Sequence, residues 1–184
     1  SGLIANDRRA NALQLYLSKP VTRAEYILGK MTVLATFLLA ITWLPAILLL
    51  MLEIAFSGNF TFLKANSSLV ASITLYCLLM VLVITFGMTA LSSLSRSSRF
   101  VGILFAGLLI FSDAMFNALR FITGSSAVSW VSIQASLDQV GDLIFRQVPR
   151  HQTPVGVSIL VLLAVVVISA SILERRVRGV EVVA

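Results

Sequence analysis

Four stretches of this sequence are long and apolar enough to cross a lipid bilayer, and they decide what the chain can fold into. Residues 31–52 carry no charge, and neither do residues 65–95, whose apolar centre is 69–91. Residues 155–173 form a third clean run. Residues 100–119 form a fourth, interrupted by Asp113 and Asn117. A helix needs about 20 such residues to span the hydrocarbon core. None of the runs shows the apolar–polar alternation of barrel strands, so each is expected to be a helix. The predicted fold is an all-α integral membrane bundle with four transmembrane helices in a single domain, 1–184. Composition agrees. Only 12% of the 184 residues are charged and 58% are hydrophobic, against about 25% charged in an ordinary soluble domain. So few charges could not cover a soluble surface, which excludes most soluble enzyme folds, disordered tails and secreted scaffolds. The single Cys77 cannot form an internal disulfide.

The formal charge of +6 takes its meaning from these spans. Four crossings put both ends of the chain on one side. Arg8, Arg9, Lys19, Arg23, Lys30, Arg96, Arg99, Arg175, Arg176 and Arg178 fall on that side, and Lys64, Arg120, Arg146 and Arg150 on the other. Excess basic residues in short loops mark the cytoplasmic face. Both termini are therefore expected in the cytoplasm. No basic–aromatic groove suggests nucleic acid as a partner.

Residues 6–30 read as two helix starts with a break between them. Asn6 or Asp7 can cap a first helix over 6–18, with Arg8 and Arg9 in its opening turn. Leu13, Tyr16 and Leu17 fall on one apolar face. Ser18-Lys19-Pro20 ends it. Thr22 and Glu25 then have the spacing of a capping box, opening a helix that runs into the first span. Pro45 lies inside that span and predicts a kink. Gly87, Ala90, Ser92 and Ser93 make the end of the second span small and able to pack closely. The amphipathic helix over 6–18 suits either a lipid surface or a groove on a soluble partner.

This segment resembles the first cytoplasmic loop of ABC-2-type transporter permeases. Asp7 matches the family's acidic position, Leu13, Leu15 and Leu17 its Leu-rich turn, and Pro20, Thr22 and Arg23 its Pro-x-Ser/Thr-Arg piece. Gly29-Lys30 match its close. Asp7 stands where Glu is commoner, and Asn11 where Gly is commoner. The end, Leu173-Glu-Arg-Arg-Val-Arg, resembles the basic tail of such permeases. The resemblance implies a permease that pairs with a second copy or homologue and with an ATP-binding cassette protein. Residues 6–18 would be the coupling helix, with Asp7, Arg8, Arg9, Leu13, Tyr16 and Leu17 touching the cassette and Pro20 and Arg23 setting the elbow. It also implies six spans, of which the first two would precede Ser1. No GxxxxGK[S/T] loop is present. ATP and magnesium are expected on the partner ATPase, with no cofactor, metal site or catalytic residue on this chain.

Asp113, Asn117 and Arg120 share one helix face at spacings of four and three residues. An intramembrane carboxylate should face the bundle interior or a cavity. The stripe reads either as a translocation path or as a satisfied polar patch. Ile133, Leu137, Val140 and Ile144 recur at helical spacing, with Asp138 and Asp142 on other faces. This predicts an amphipathic helix over 130–146 resting on the outer membrane surface, with Trp130 at the interface. His151 reads as a solvated loop residue. Asn59 and Asn66 begin glycosylation triplets. Neither GxSxG nor HExxH occurs. The chain is thus expected to be the permease of an ATP-driven exporter and not an enzyme. The alternative is a non-transporting membrane anchor that recruits a cytoplasmic partner.

Overall fold

The computed structural model describes residues 23–57, 68–95 and 98–178. Among these residues every regular element is helical. Helix α1 is Arg23–Ser57, α2 is Leu69–Leu94 and α3 is Ser98–Thr123. A short 3-10 segment, Ser126–Val131, leads to α4, Ile133–Ile144, and α5 is Val155–Arg178. Four of these helices contain stretches long and apolar enough to cross a membrane: Ile27–Phe56, Leu69–Leu94, Phe100–Thr123 and Val155–Arg175. The segments 31–52, 69–91, 100–119 and 155–173 each lie within one of them. The chain is an all-α membrane bundle.

Helix α1 starts at Arg23 with Glu25 in its first turn, where a carboxylate suits the helix dipole. It continues without a break into the first span. Its 35 residues reach roughly 52 Å, well beyond the ~30 Å of hydrocarbon. Pro45 lies inside the helix without ending it. α1 packs against α2, where the Trp43 indole N–H donates to Thr74 Oγ1 at 3.0 Å.

Helix α2 is the hub, touching α1, α3, α4 and α5. Small residues permit this. A Cβ on Gly87 would lie 2.8 Å from the Phe105 ring of α3, and one on Gly141 would lie 2.8 Å from the Tyr76 ring of α2. The Tyr76 ring also meets Phe145 edge-on, with centroids 5.9 Å apart.

The departure from the sequence reading is α4. Its apolar face was expected to rest on the outer surface of the membrane. Instead α4 stands upright beside α2 and runs in the opposite sense. Ser72, near the start of α2, donates its hydroxyl to the Ile144 carbonyl at 3.0 Å. Further along α2, Val83 packs with Ile133, Leu137 and Val140 of α4 and with Leu162 of α5. Ser72 and Val83 are eleven positions apart, roughly 16 Å along a helix, which matches the length of α4. The helix is also shorter than 130–146, because Trp130 belongs to the 3-10 segment. Its apolar periodicity was real, but protein rather than lipid covers it.

Both turns flanking this element are set by local chemistry. α3 ends at Gly124, whose φ of +65° is cheap only for glycine. Ser132 caps α4, its hydroxyl accepting from the Ala135 N–H at 3.1 Å. At the other end the Gln147 N–H reaches the Asp142 carbonyl at 2.8 Å and the Arg146 N–H reaches that of Leu143 at 3.1 Å. These two bonds make a Schellman ending. It forces Arg146, at φ +54°, into the left-handed region. Arg146→Gly should therefore raise stability by about 0.5–1 kcal/mol. Thermal unfolding reads this directly, since buried Cys77 is the only thiol and becomes reactive to a thiol dye on unfolding. An unchanged or lower midpoint would contradict the assignment.

Candidate functional site

The most polar buried region surrounds α4. Ser129, Ser132, Ser136, Gln139, Asp142, Thr153 and Ser158 are all buried. Most buried polar groups in folded proteins are hydrogen-bonded, and for Ser129, Ser132, Gln139, Asp142 and Thr153 the partners come from three directions.

At the inner end of α4 stands Asp113 of α3. It is ten residues from the end of α3, roughly 15 Å along the helix. Ser132 Oγ donates to Asp113 Oδ1 at 3.3 Å. Asn117 Nδ2 donates to the Asp113 carbonyl at 2.9 Å and to its Oδ2 at 3.3 Å. Ser132 is the N-cap of α4, so the carboxylate lies at the positive end of that helix dipole. The stripe read from sequence therefore divides. Asp113 and Asn117 are brought together. Arg120 is exposed, and among the described residues no hydrogen bond or ion pair joins it to either of them. The face also carries Phe116, which is buried and meets the His151 ring edge-on at 5.4 Å.

In the middle, Gln139 ties α4 to the strap that leads into α5. It is 1% exposed. Its Nε2 donates to the Thr153 carbonyl at 2.9 Å and the His151 carbonyl at 3.2 Å, and its Oε1 accepts from the His151 N–H at 3.3 Å. The strap is also fastened to the 3-10 segment. Thr153 Oγ1 lies 2.6 Å from Ser129 Oγ, and the Gln152 N–H donates to Ser126 Oγ at 3.0 Å. His151 is thus half-buried within this network rather than solvated.

At the far end of α4, Asp142 was read as lying off the apolar face. It is buried, and both its oxygens are held by one residue. Arg150 Nε lies 3.2 Å from Oδ1, and the Arg150 backbone N–H donates to Oδ2 at 3.0 Å.

Sequence reasoning named Asp113 and Asn117 but missed Ser132, Gln139, Asp142, Thr153 and His151 as members of one assembly. Ser132 directly before an apolar periodic run was a readable cap signal. Gln139 offered none, because its partners are strap backbone atoms. Asp7, Arg8, Arg9, Leu13, Tyr16, Leu17 and Pro20 lie outside the described residues, as do Asn59 and Asn66. Arg23 is the first residue of α1. Among the described residues no group of three His, Cys, Asp or Glu side chains gathers as metal ligands. The arrangement positions a helix between membrane spans and places a carboxylate at its inner end.

Comparison with known proteins adds one finding. The family described as ABC-2 family transporter protein matches residues 1–176. Neither the curated proteins nor the solved structures yield a match.

Proposed function

The chain belongs to the ABC-2 family of transporter proteins and is a multi-pass membrane permease of an ABC transporter; from that premise we propose that it serves an ATP-driven exporter. A separate cassette protein binds and hydrolyses ATP with magnesium. Two permease copies, or this chain and a homologue, form the membrane unit. Residues 6–18 form the coupling helix, whose Asp7, Arg8, Arg9, Leu13, Tyr16 and Leu17 meet the cassette, with Pro20 and Arg23 at the elbow. The termini lie in the cytoplasm of a prokaryotic cell, and the 124–154 connection faces outward. Asp113 and Asn117 border the translocation path where α3 meets the inner end of α4, with Arg120 nearer its exit.

The observation that carries this reading is the family match, which extends over the cytoplasmic segment and all four spans. The mechanism requires ATP to bind one arrangement of the cassettes better than the other, since only differential affinity shifts an equilibrium. The coupling helix then passes cassette closure to α1, which continues unbroken from Arg23 into the membrane.

The test is Leu13→Asp in the permease coexpressed with its partner cassette protein. Loss of a docked leucine removes about 2 kcal/mol of burial, and the buried charge adds to that. Cassette association and substrate-stimulated ATPase should fall by about tenfold or more, while membrane insertion stays normal. A variant that binds its cassette and transports at the normal rate would remove the docking role. An ATPase rate indifferent to any substrate in the parent complex would favour the non-transporting anchor.

A further inference from the structure

Most hydroxyls on the spanning helices are satisfied by their own helix. Thr32, Thr42, Thr74, Thr89, Thr123 and Ser171 each donate to the carbonyl four residues earlier, at 2.7–2.9 Å. Buried Thr85 and Ser92 of α2 do not, and neither do Ser136 on α4 and Ser158 on α5, the two most enclosed. Both are 0% exposed, and neither hydroxyl has a protein partner. The corresponding carbonyls are in place, since the Ser136 N–H bonds to Ser132 O and the Ser158 N–H to Pro154 O. The two hydroxyls have therefore turned away from their own backbones.

Their positions bracket one part of the α4–α5 contact. Ser136 is one turn inward of Gln139, and Ser158 is just over one turn along the chain from Thr153. Gln139 and Thr153 are bonded to each other. One turn beyond Ser158, Leu162 packs with Leu137 and Val140 of α4. Ser136 thus lies within about one turn of Leu137, Gln139 and Val140 on α4, and Ser158 lies between Thr153 and Leu162 along the chain, so each orphan hydroxyl sits beside residues that join the two helices. An unpartnered hydroxyl in so enclosed a place is costly. A water molecule that donates to one and accepts from the other removes that cost on both helices at once, and buried water characteristically fills this role.

We propose that Ser136 and Ser158 form a binding site for a single ordered water that bridges α4 to α5 inside the bundle. The bridge joins the helix standing between the spans to the final span through a partner that can be exchanged, not through interlocked apolar side chains.

The experiment is a structure of the permease–cassette complex in a lipid nanodisc, at a resolution that shows ordered water, paired with radiolytic labelling in heavy-oxygen water. The expected result is a density peak within hydrogen-bonding distance of both hydroxyls. Buried Leu137 and Leu162 should incorporate heavy oxygen, and Ser136→Ala/Ser158→Ala should lose that incorporation while Cys77 stays shielded from a thiol dye. The proposal is overturned if the hydroxyls turn onto Ser132 O and Pro154 O with no peak between them, or if labelling persists unchanged in the folded double variant. If that variant does not fold, the density in the parent complex decides alone.

Discussion

Replacing Gln139 with alanine should destabilise the permease by about 3–5 kcal/mol, the largest effect expected of any single polar substitution in the described residues. The side chain makes three hydrogen bonds, all to strap backbone at His151 and Thr153. Each is worth about 1 kcal/mol net, and more if its partner is left buried and unpaired. Truncation also opens a cavity where the side chain was 1% exposed, which adds about 1–2 kcal/mol. Two further variants separate these contributions. Gln139→Leu restores most of the volume and none of the bonds, so it should recover only the cavity part. Gln139→Glu keeps an acceptor for the His151 N–H but turns an oxygen toward two carbonyls, so it should be no better than alanine. Thermal unfolding followed at Cys77 measures all three. A Gln139→Leu protein as stable as the parent would mean that the clasp contributes nothing.

That clasp also marks the limit of what the sequence could disclose. The four spans were legible because lipid imposes a simple demand: an unbroken apolar run of sufficient length. The helical state of α4 was legible too, from Ile133, Leu137, Val140 and Ile144. Its surroundings were not. An apolar face at helical spacing looks the same whether lipid or Val83 and Leu162 cover it. The opposite face misled for a related reason. Asp142 was placed off the apolar face, and polar residues on an amphipathic helix usually meet water. It is satisfied instead by Arg150, while Ser132 meets Asp113 and Gln139 meets strap backbone. Such pairings depend on how the chain returns upon itself, and no local spacing encodes that return. Asp113 is the instructive middle case. Its cost in the membrane predicted an inward-facing partner, and Asn117 was identified from the four-residue spacing. Ser132, nineteen residues away, was beyond the reach of periodicity.

The C-terminal end of α4 is held by an ion pair whose two members differ in exposure, and this difference leads to the second large effect. Arg150→Ala should cost more than Asp142→Asn, although the two substitutions break the same ion pair. The Asp142 side chain is 2% exposed and that of Arg150 is 62% exposed. Removing the arginine head leaves a buried carboxylate with only the Arg150 backbone N–H for company. Leaving one buried charge unpaired typically costs 3–5 kcal/mol. Because the lost cation was largely in water, the discounted expectation is about 2–4 kcal/mol. Asp142→Asn removes the buried charge itself. Its remaining oxygen can still accept the backbone N–H, and the exposed guanidinium relaxes into solvent, so the expected cost is about 1 kcal/mol. The pair of substitutions together should then be less harmful than Arg150→Ala alone, because the asparagine relieves the orphaned charge. Arg150→Lys should fall between, since an ammonium restores the charge without the fixed geometry at Nε. Unfolding midpoints of the four proteins give the ordering directly. Equal costs for the two single variants, or a double variant worse than Arg150→Ala, would show that Asp142 is not the buried charge on which the C-terminal fastening of α4 depends.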